Sequence, residues 1–91
     1  MMNKWCDKAV DELQDKSMVI AMEELAELQQ AISKGIRGKL DYDNLCEEIA
    51  DVIIVTEWIK YRFDVKQQDI EKWLDHKQCR IADRLSAGIL D

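Results

Sequence analysis

Two short segments carry the residues best suited to hold a cation: Glu23-Glu24-Leu25-Ala26-Glu27 and Glu47-Glu48-Ile49-Ala50-Asp51. Each contains an acidic i, i+3 pair, Glu24/Glu27 and Glu48/Asp51, and side chains at that spacing project from one helix face about 5–6 Å apart. If consecutive helices bring the pairs together, each like-charge contact at about 6 Å and an effective dielectric near 20 costs roughly 3 kcal/mol. A cation removes that cost. Oxygen donors without histidine or thiolate favour Mg²⁺, with Mn²⁺ as a substitute, and Mg²⁺ characteristically keeps waters and binds phosphate oxygens. The chemistry expected is therefore attack of water on phosphorus. The water is held by the metal or by a spare carboxylate such as Glu23 or Glu47, while metal charge neutralises the leaving pyrophosphate. One E-x-x-E pair is usually no more than a solvated helix face. The repetition in two consecutive apolar helices argues for a site.

The elements that must position these residues are helices. The sequence has no proline, only three glycines and much Ala, Leu, Glu, Lys and Gln, so helix propensity is high almost throughout. Breaks are expected at Asp15 to Ser17, Gly35 to Asp43 and Asp64 to Lys66, giving four helices of roughly 12, 18, 21 and 21 residues. In the second helix, about Ser17 to Lys34, Met18, Ala21, Met22, Leu25, Leu28 and Ile32 form an apolar stripe that reads as core. A second line, Ile20, Glu24, Glu27 and Ala31, lies about 130° around the same helix. The third helix, about Tyr42 to Phe63, repeats this with Leu45, Ile49, Val52, Thr56 and Ile59 as the core stripe. Its second line is Glu48, Asp51, Val55 and Trp58. Being apolar on nearly every face near its middle, the third helix should be the most buried. The fold expected is all-α, a short antiparallel helical bundle.

Ninety-one residues, 47% hydrophobic and 35% charged, describe a single domain spanning 1–91. So short a chain buries a modest share of its surface, so association with another copy is expected as a source of extra stability. Apolar runs such as Val52-Ile53-Ile54-Val55 are far below the roughly 20 residues of a membrane span. The N-terminus has no apolar stretch suited to a secretory signal, and a cytoplasmic location is expected. Cys6, Cys46 and Cys79 are odd in number and widely spaced, which argues for reduced thiols over disulfides or a thiolate metal site. Thirteen basic against nineteen acidic residues give a net charge of −6, which disfavours a nucleic-acid polymer as partner. A small anion carried with a cation fits better.

The pattern E-E-x-x-E, about twenty residues, then E-E-x-x-D resembles the MazG-like group of all-α nucleoside triphosphate pyrophosphohydrolases. The match covers about Met18 to Trp58 well and the remainder loosely. The resemblance implies cleavage of a (deoxy)nucleoside triphosphate to monophosphate and pyrophosphate, with Mg²⁺ held by Glu24, Glu27, Glu48 and Asp51. It also implies homodimers or homotetramers in which neighbouring helices complete the bundle. Two alternatives stand beside it: a non-catalytic helical oligomerisation or protein-binding module, and a phosphoribosyl-ATP pyrophosphohydrolase of related architecture.

Basic residues add a second signal. Lys77 falls in the middle of the stripe Ile70, Trp73, Leu74, Ile81 and Leu85; it either snorkels outward along its stem or points at the acidic site and substrate phosphates. Arg80 and Arg84 flank the stripe, and Lys77-x-x-Arg80 looks like the basic element that family members carry after the acidic helices. Lys34-Gly35-Ile36-Arg37-Gly38-Lys39 is either a helix C-cap and turn or a loop closing over a polyphosphate, with Arg37 its best phosphate ligand. Trp5, Trp58 and Trp73 read as core or interface residues before base-stacking ones. His76, outside the acidic motif, reads as a surface residue.

Overall fold

The computed structural model describes residues 4–88 and contains four helices: α1 (Lys4–Leu13), α2 (Asp15–Ile36), α3 (Tyr42–Arg62) and α4 (Gln67–Ala87). The first break is tighter than the sequence suggests. It is the single residue Gln14, at φ 54° and ψ −133°, a conformation that L side chains adopt at a cost of about 1–3 kcal/mol. Its carbonyl accepts the Ser17 hydroxyl at 2.6 Å, and Ser17 is wholly buried. Gln14→Gly should therefore stabilise the fold by about 1 kcal/mol, read from the midpoint of urea unfolding. An unchanged or lower midpoint would mean that the Gln14 amide bond to the Asp11 carbonyl outweighs the backbone strain.

The second break also has local causes. Arg37 caps the C-terminus of α2, and Gly38 takes the left-handed conformation at φ 79°. The Gly38 and Lys39 amides then return to the carbonyls of Gly35 and Lys34. Segment 34–39 is thus a helix C-terminus and its turn. Asp41 starts α3, its Oδ1 accepting the Asn44 amide at 3.1 Å. Asp41→Ala removes this cap and should lower stability by about 1 kcal/mol, measured by thermal unfolding.

α2 and α3 form a hairpin whose arms run in opposite directions. At one end Arg62 bonds Asp15 at 2.7 Å; at the other, Gly35 lies against Leu40. The face α2 turns inward is lined by Ser17, Ala21 and Ala31, all buried, with Glu24 and Leu28 between them. Small side chains on this line allow close approach of α3, which buries Glu48 and Val55 opposite. α1 closes the open end of the hairpin with Cys6 and Val10.

This corrects the expected core. Met22 is 62% exposed and Ile32 48%, with Leu25 and Ile49 likewise exposed; of the stripes expected as core, Ala21 is buried and Met18, Leu28, Leu45, Val52 and Ile59 are half-buried. The helix–helix contact runs between the two lines, taking Ala21 and Leu28 from the stripe and Glu24 and Ala31 from the line that holds the acidic pairs. α3, expected to be the most buried helix, keeps the largest share of its residues from full exposure but leaves Ile49, Ile53 and Ile54 in solvent.

α4 stands apart. It packs against none of the other helices, and every residue of it except Ile70 is exposed. The radius of gyration is accordingly 16.2 Å, against about 12 Å for a compact chain of this length. The all-helical expectation holds; within one chain the packed unit has three helices.

Candidate functional site

The acidic pairs meet in the middle of the hairpin. One carboxylate oxygen from each of Glu24, Glu27 and Glu48 lies within 4.8 Å of the others, and Asp51 sits against Glu24. Helix spacing explains this: i, i+3 pairs on both arms stack at the same level when the arms run in opposite directions. Glu48 is 7% exposed, Glu24 and Asp51 are half-buried, and Glu27 is exposed. The cluster therefore opens to solvent on the Glu27 side.

Its electrostatics are those of a site short of positive charge. The Glu24 carboxyl is pushed up to about 7, first by burial and then by the charges of Glu27 and Asp51. Glu48 is also raised, by burial and then by Glu27. One oxygen of Glu24, Oε2, is fully buried and has no hydrogen-bond partner. The contact between the Glu24 and Asp51 carboxylates becomes a bond only when a proton lies between the two. Among the described residues, the ion pairs join Lys8–Glu12, Lys60–Glu57, Arg62–Asp15 and Lys66–Asp64. No basic side chain among them neutralises the cluster. Glu24, with one orphaned buried oxygen, beside three further carboxylates is a donor set that suits a hard divalent cation.

The other residues singled out in the sequence lie elsewhere. Glu23 and Glu47 are exposed beside the cluster and not among its converging oxygens. Arg37 is at the far end of α2, its Nε donating to the Ser33 carbonyl at 3.3 Å. Lys77 lies over the Trp73 ring with Nζ 5.9 Å from the centroid, on a helix that packs against nothing in the chain. Arg80 is exposed on the same helix. The chain thus assembles the four acidic residues and leaves the three basic ones apart from them. Trp58 is half-buried, whereas Trp73 is exposed with His76 edge-on to it at 5.7 Å.

A cleft among the described residues lies in a different place. About 730 Å³ in volume, it lies between α1, the end of α3 and the turn into α4. Its polar groups are mostly satisfied by one another. Tyr61 donates to Asp11 at 2.9 Å, and Lys60 reaches both Glu57 and Gln67 at 3.0 and 2.6 Å. Cys6 borders it with its thiol pushed up by burial. Size alone does not make it the reactive centre, because each of its cations, Lys60, Arg62 and Lys66, is already paired with a carboxylate, whereas the acidic cluster has no cation paired with it among the described residues. Sequence reasoning missed this cleft, since the pairing of Asp11 with Tyr61, fifty positions apart, has no local signature.

No family model, no curated protein and no solved structure matches this chain.

Proposed function

We propose that the chain is a Mg²⁺-dependent nucleotide pyrophosphohydrolase of the MazG-like kind, converting a (deoxy)nucleoside triphosphate to the monophosphate and pyrophosphate. Supporting this reading is one observation above all: Glu24, Glu27 and Glu48 from two E-E-x-x-(E/D) segments converge, with Asp51 beside Glu24 and one Glu24 oxygen buried without a hydrogen-bond partner. Glu24, Glu27, Glu48 and Asp51 would hold the metal, with Mn²⁺ as a substitute. When bound, the cation supplies charge neutralisation on the phosphates and a more acidic water. The chain's own part is positional. The buried hairpin fixes Glu24 and Glu48, exposed Glu27 faces the incoming substrate, and Glu23 or Glu47 beside them is placed to orient a water. Lys77, Arg80 and Arg37 are the cations assigned to substrate phosphates. On this reading the protein acts in the cytoplasm on a soluble nucleotide, as a homodimer or homotetramer.

The experiment is pyrophosphate release from a panel of canonical and modified nucleoside triphosphates, with and without Mg²⁺. Metal-dependent release from at least one nucleotide is expected, and a rate indistinguishable from the uncatalysed one across the panel would dismiss the enzyme. A second reading, a non-catalytic oligomerisation module, is favoured by a separate observation, the exposed apolar side chains of α2, α3 and α4. It predicts self-association with neither pyrophosphate release nor stabilisation by Mg²⁺.

A further inference from the structure

We propose that the cleft between α1, the C-terminal end of α3 and the turn into α4 binds a short aliphatic diamine, its ammonium groups held by Asp7 and Asp11. None of the four residues of the acidic cluster lines this cleft, so the site is independent of the hydrolase reading. At about 730 Å³ it has the size of a small-molecule pocket. Its floor is apolar, with Val10 2% exposed and Cys6 3%. The buried Cys6 thiol borders the cleft without a hydrogen-bond partner among the described residues. A saturated carbon chain covers such a floor at no polar cost.

The charges around the floor do not balance. Lys60 is paired with Glu57 at 3.0 Å, Lys66 with Asp64 at 2.7 Å, and Arg62 with Asp15 at 2.7 Å. Asp7 and Asp11 are left with no cation among the described residues. The Tyr61 hydroxyl reaches both oxygens of Asp11, at 2.9 and 3.1 Å, and brings a proton donor but no charge. At i, i+4 on α1, the two aspartates lie on one face about 5–6 Å apart and repel each other. Neighbouring groups register the excess. The Tyr61 phenol is raised by its bond to Asp11, then by burial and by the charges of Asp11 and Asp7. The Cys6 thiol is raised by burial, then by Asp7 and Glu57.

What would complete the cleft is positive charge at two points about 6 Å apart, carried over an apolar floor. A metal ion meets this poorly. Asp7 and Asp11 are exposed, and a hard cation gives up its waters only to a larger set of converging oxygens. Such a set of three lies at Glu24, Glu27 and Glu48, away from the cleft. A monoamine leaves one of the two aspartates unpaired. A diamine with four methylenes sets its nitrogens about 6 Å apart, pairs with both carboxylates, and lays its carbons on Val10 and Cys6.

The test titrates the full chain with 1,4-diaminobutane and follows the backbone amides by NMR. Saturable shifts should gather at Cys6, Asp7, Asp11 and Tyr61. Asp7→Asn with Asp11→Asn changes two exposed positions and should raise the dissociation constant about tenfold or more, with far-ultraviolet circular dichroism unchanged. 1-Butylamine, with the same stem and one charge, should bind more weakly, and Mg²⁺ should leave the cleft residues unshifted. Shifts spread evenly over exposed carboxylates, or gathered at Glu24 and Glu48 in place of the cleft, would overturn the assignment. So would butylamine or Mg²⁺ acting on the cleft as strongly as the diamine, or undiminished binding by the double variant. Pyrophosphate release enters none of these readouts, so the diamine site and the hydrolase stand or fall separately.

Discussion

Glu48→Gln should lower the rate of pyrophosphate release by at least about a hundredfold, while the chain stays folded. Glu48 is the buried member of the cluster, and glutamine keeps its volume but not its charge. In the metal-free protein this removes a repulsion: at under 5 Å and an effective dielectric near 20, a like-charged pair costs on the order of 3 kcal/mol. The side-chain amide introduced by the substitution would also donate to Glu27, a contact that Glu48 makes only through a proton. Unfolding at pH 8 without metal should therefore shift to higher temperature as activity disappears. Loss of activity with loss of stability would instead mark Glu48 as a packing residue. A wild-type rate would exclude the cluster from catalysis. Glu23→Gln and Glu47→Gln extend the experiment, because both positions are exposed and neither substitution disturbs the core. Whichever lowers kcat with the Mg²⁺ affinity unchanged identifies the carboxylate that orients the water.

The sequence makes the cluster legible and conceals what surrounds it. Two acidic i, i+3 pairs in consecutive helices can meet at one level whenever the hairpin closes, so Glu24, Glu27, Glu48 and Asp51 follow from spacing alone. The choice of buried face is not legible in that way. Met22, Leu25, Ile32 and Ile49 are the more apolar residues, and periodicity assigns them to the core. The hairpin closes instead along Ser17, Ala21, Glu24 and Ala31, whose small side chains let the helix axes approach and whose carboxylates sit in the seam. Periodicity measures hydrophobicity without distinguishing burial within the chain from burial against another. An apolar face left in solvent by one chain is consistent with a partner. α4 illustrates the same point. Its stripe reads as a fourth bundle helix, but the turn at 63–66 directs it outward, and the side-chain bonds of Lys60, Asp64 and Lys66 that fix this direction have no periodic signal.

Without metal, the protein should be more stable at pH 5 than at pH 8, the reverse of a fold held by carboxylate salt bridges. The sign follows from Glu24, whose carboxyl lies near 7 in the folded chain against about 4.5 for an ordinary glutamate. Between these values the folded state binds a proton that the unfolded state has released, so stability falls as pH rises. The contribution is complete below about 4.5 and gone above about 7, and Glu48, raised in the same direction, adds to it. Glu24→Gln keeps the buried side chain neutral at every pH and should flatten the profile. Mg²⁺ should act in the opposite sense, because protons and metal compete for the same oxygens. At a hundredfold excess over its dissociation constant a ligand adds about 2.7 kcal/mol, or on the order of 10 °C in the unfolding temperature of a chain this size. That gain should appear at pH 8 and shrink towards pH 5. Thermal unfolding across this range, with and without Mg²⁺, in wild type and Glu24→Gln, reads all four arms. A flat metal-free profile would show that the cluster is solvated in the folded protein. A pH-dependent profile that Mg²⁺ leaves unmoved would show that proton sharing between Glu24 and Asp51 alone satisfies these carboxylates, and that the site serves structure without a cation.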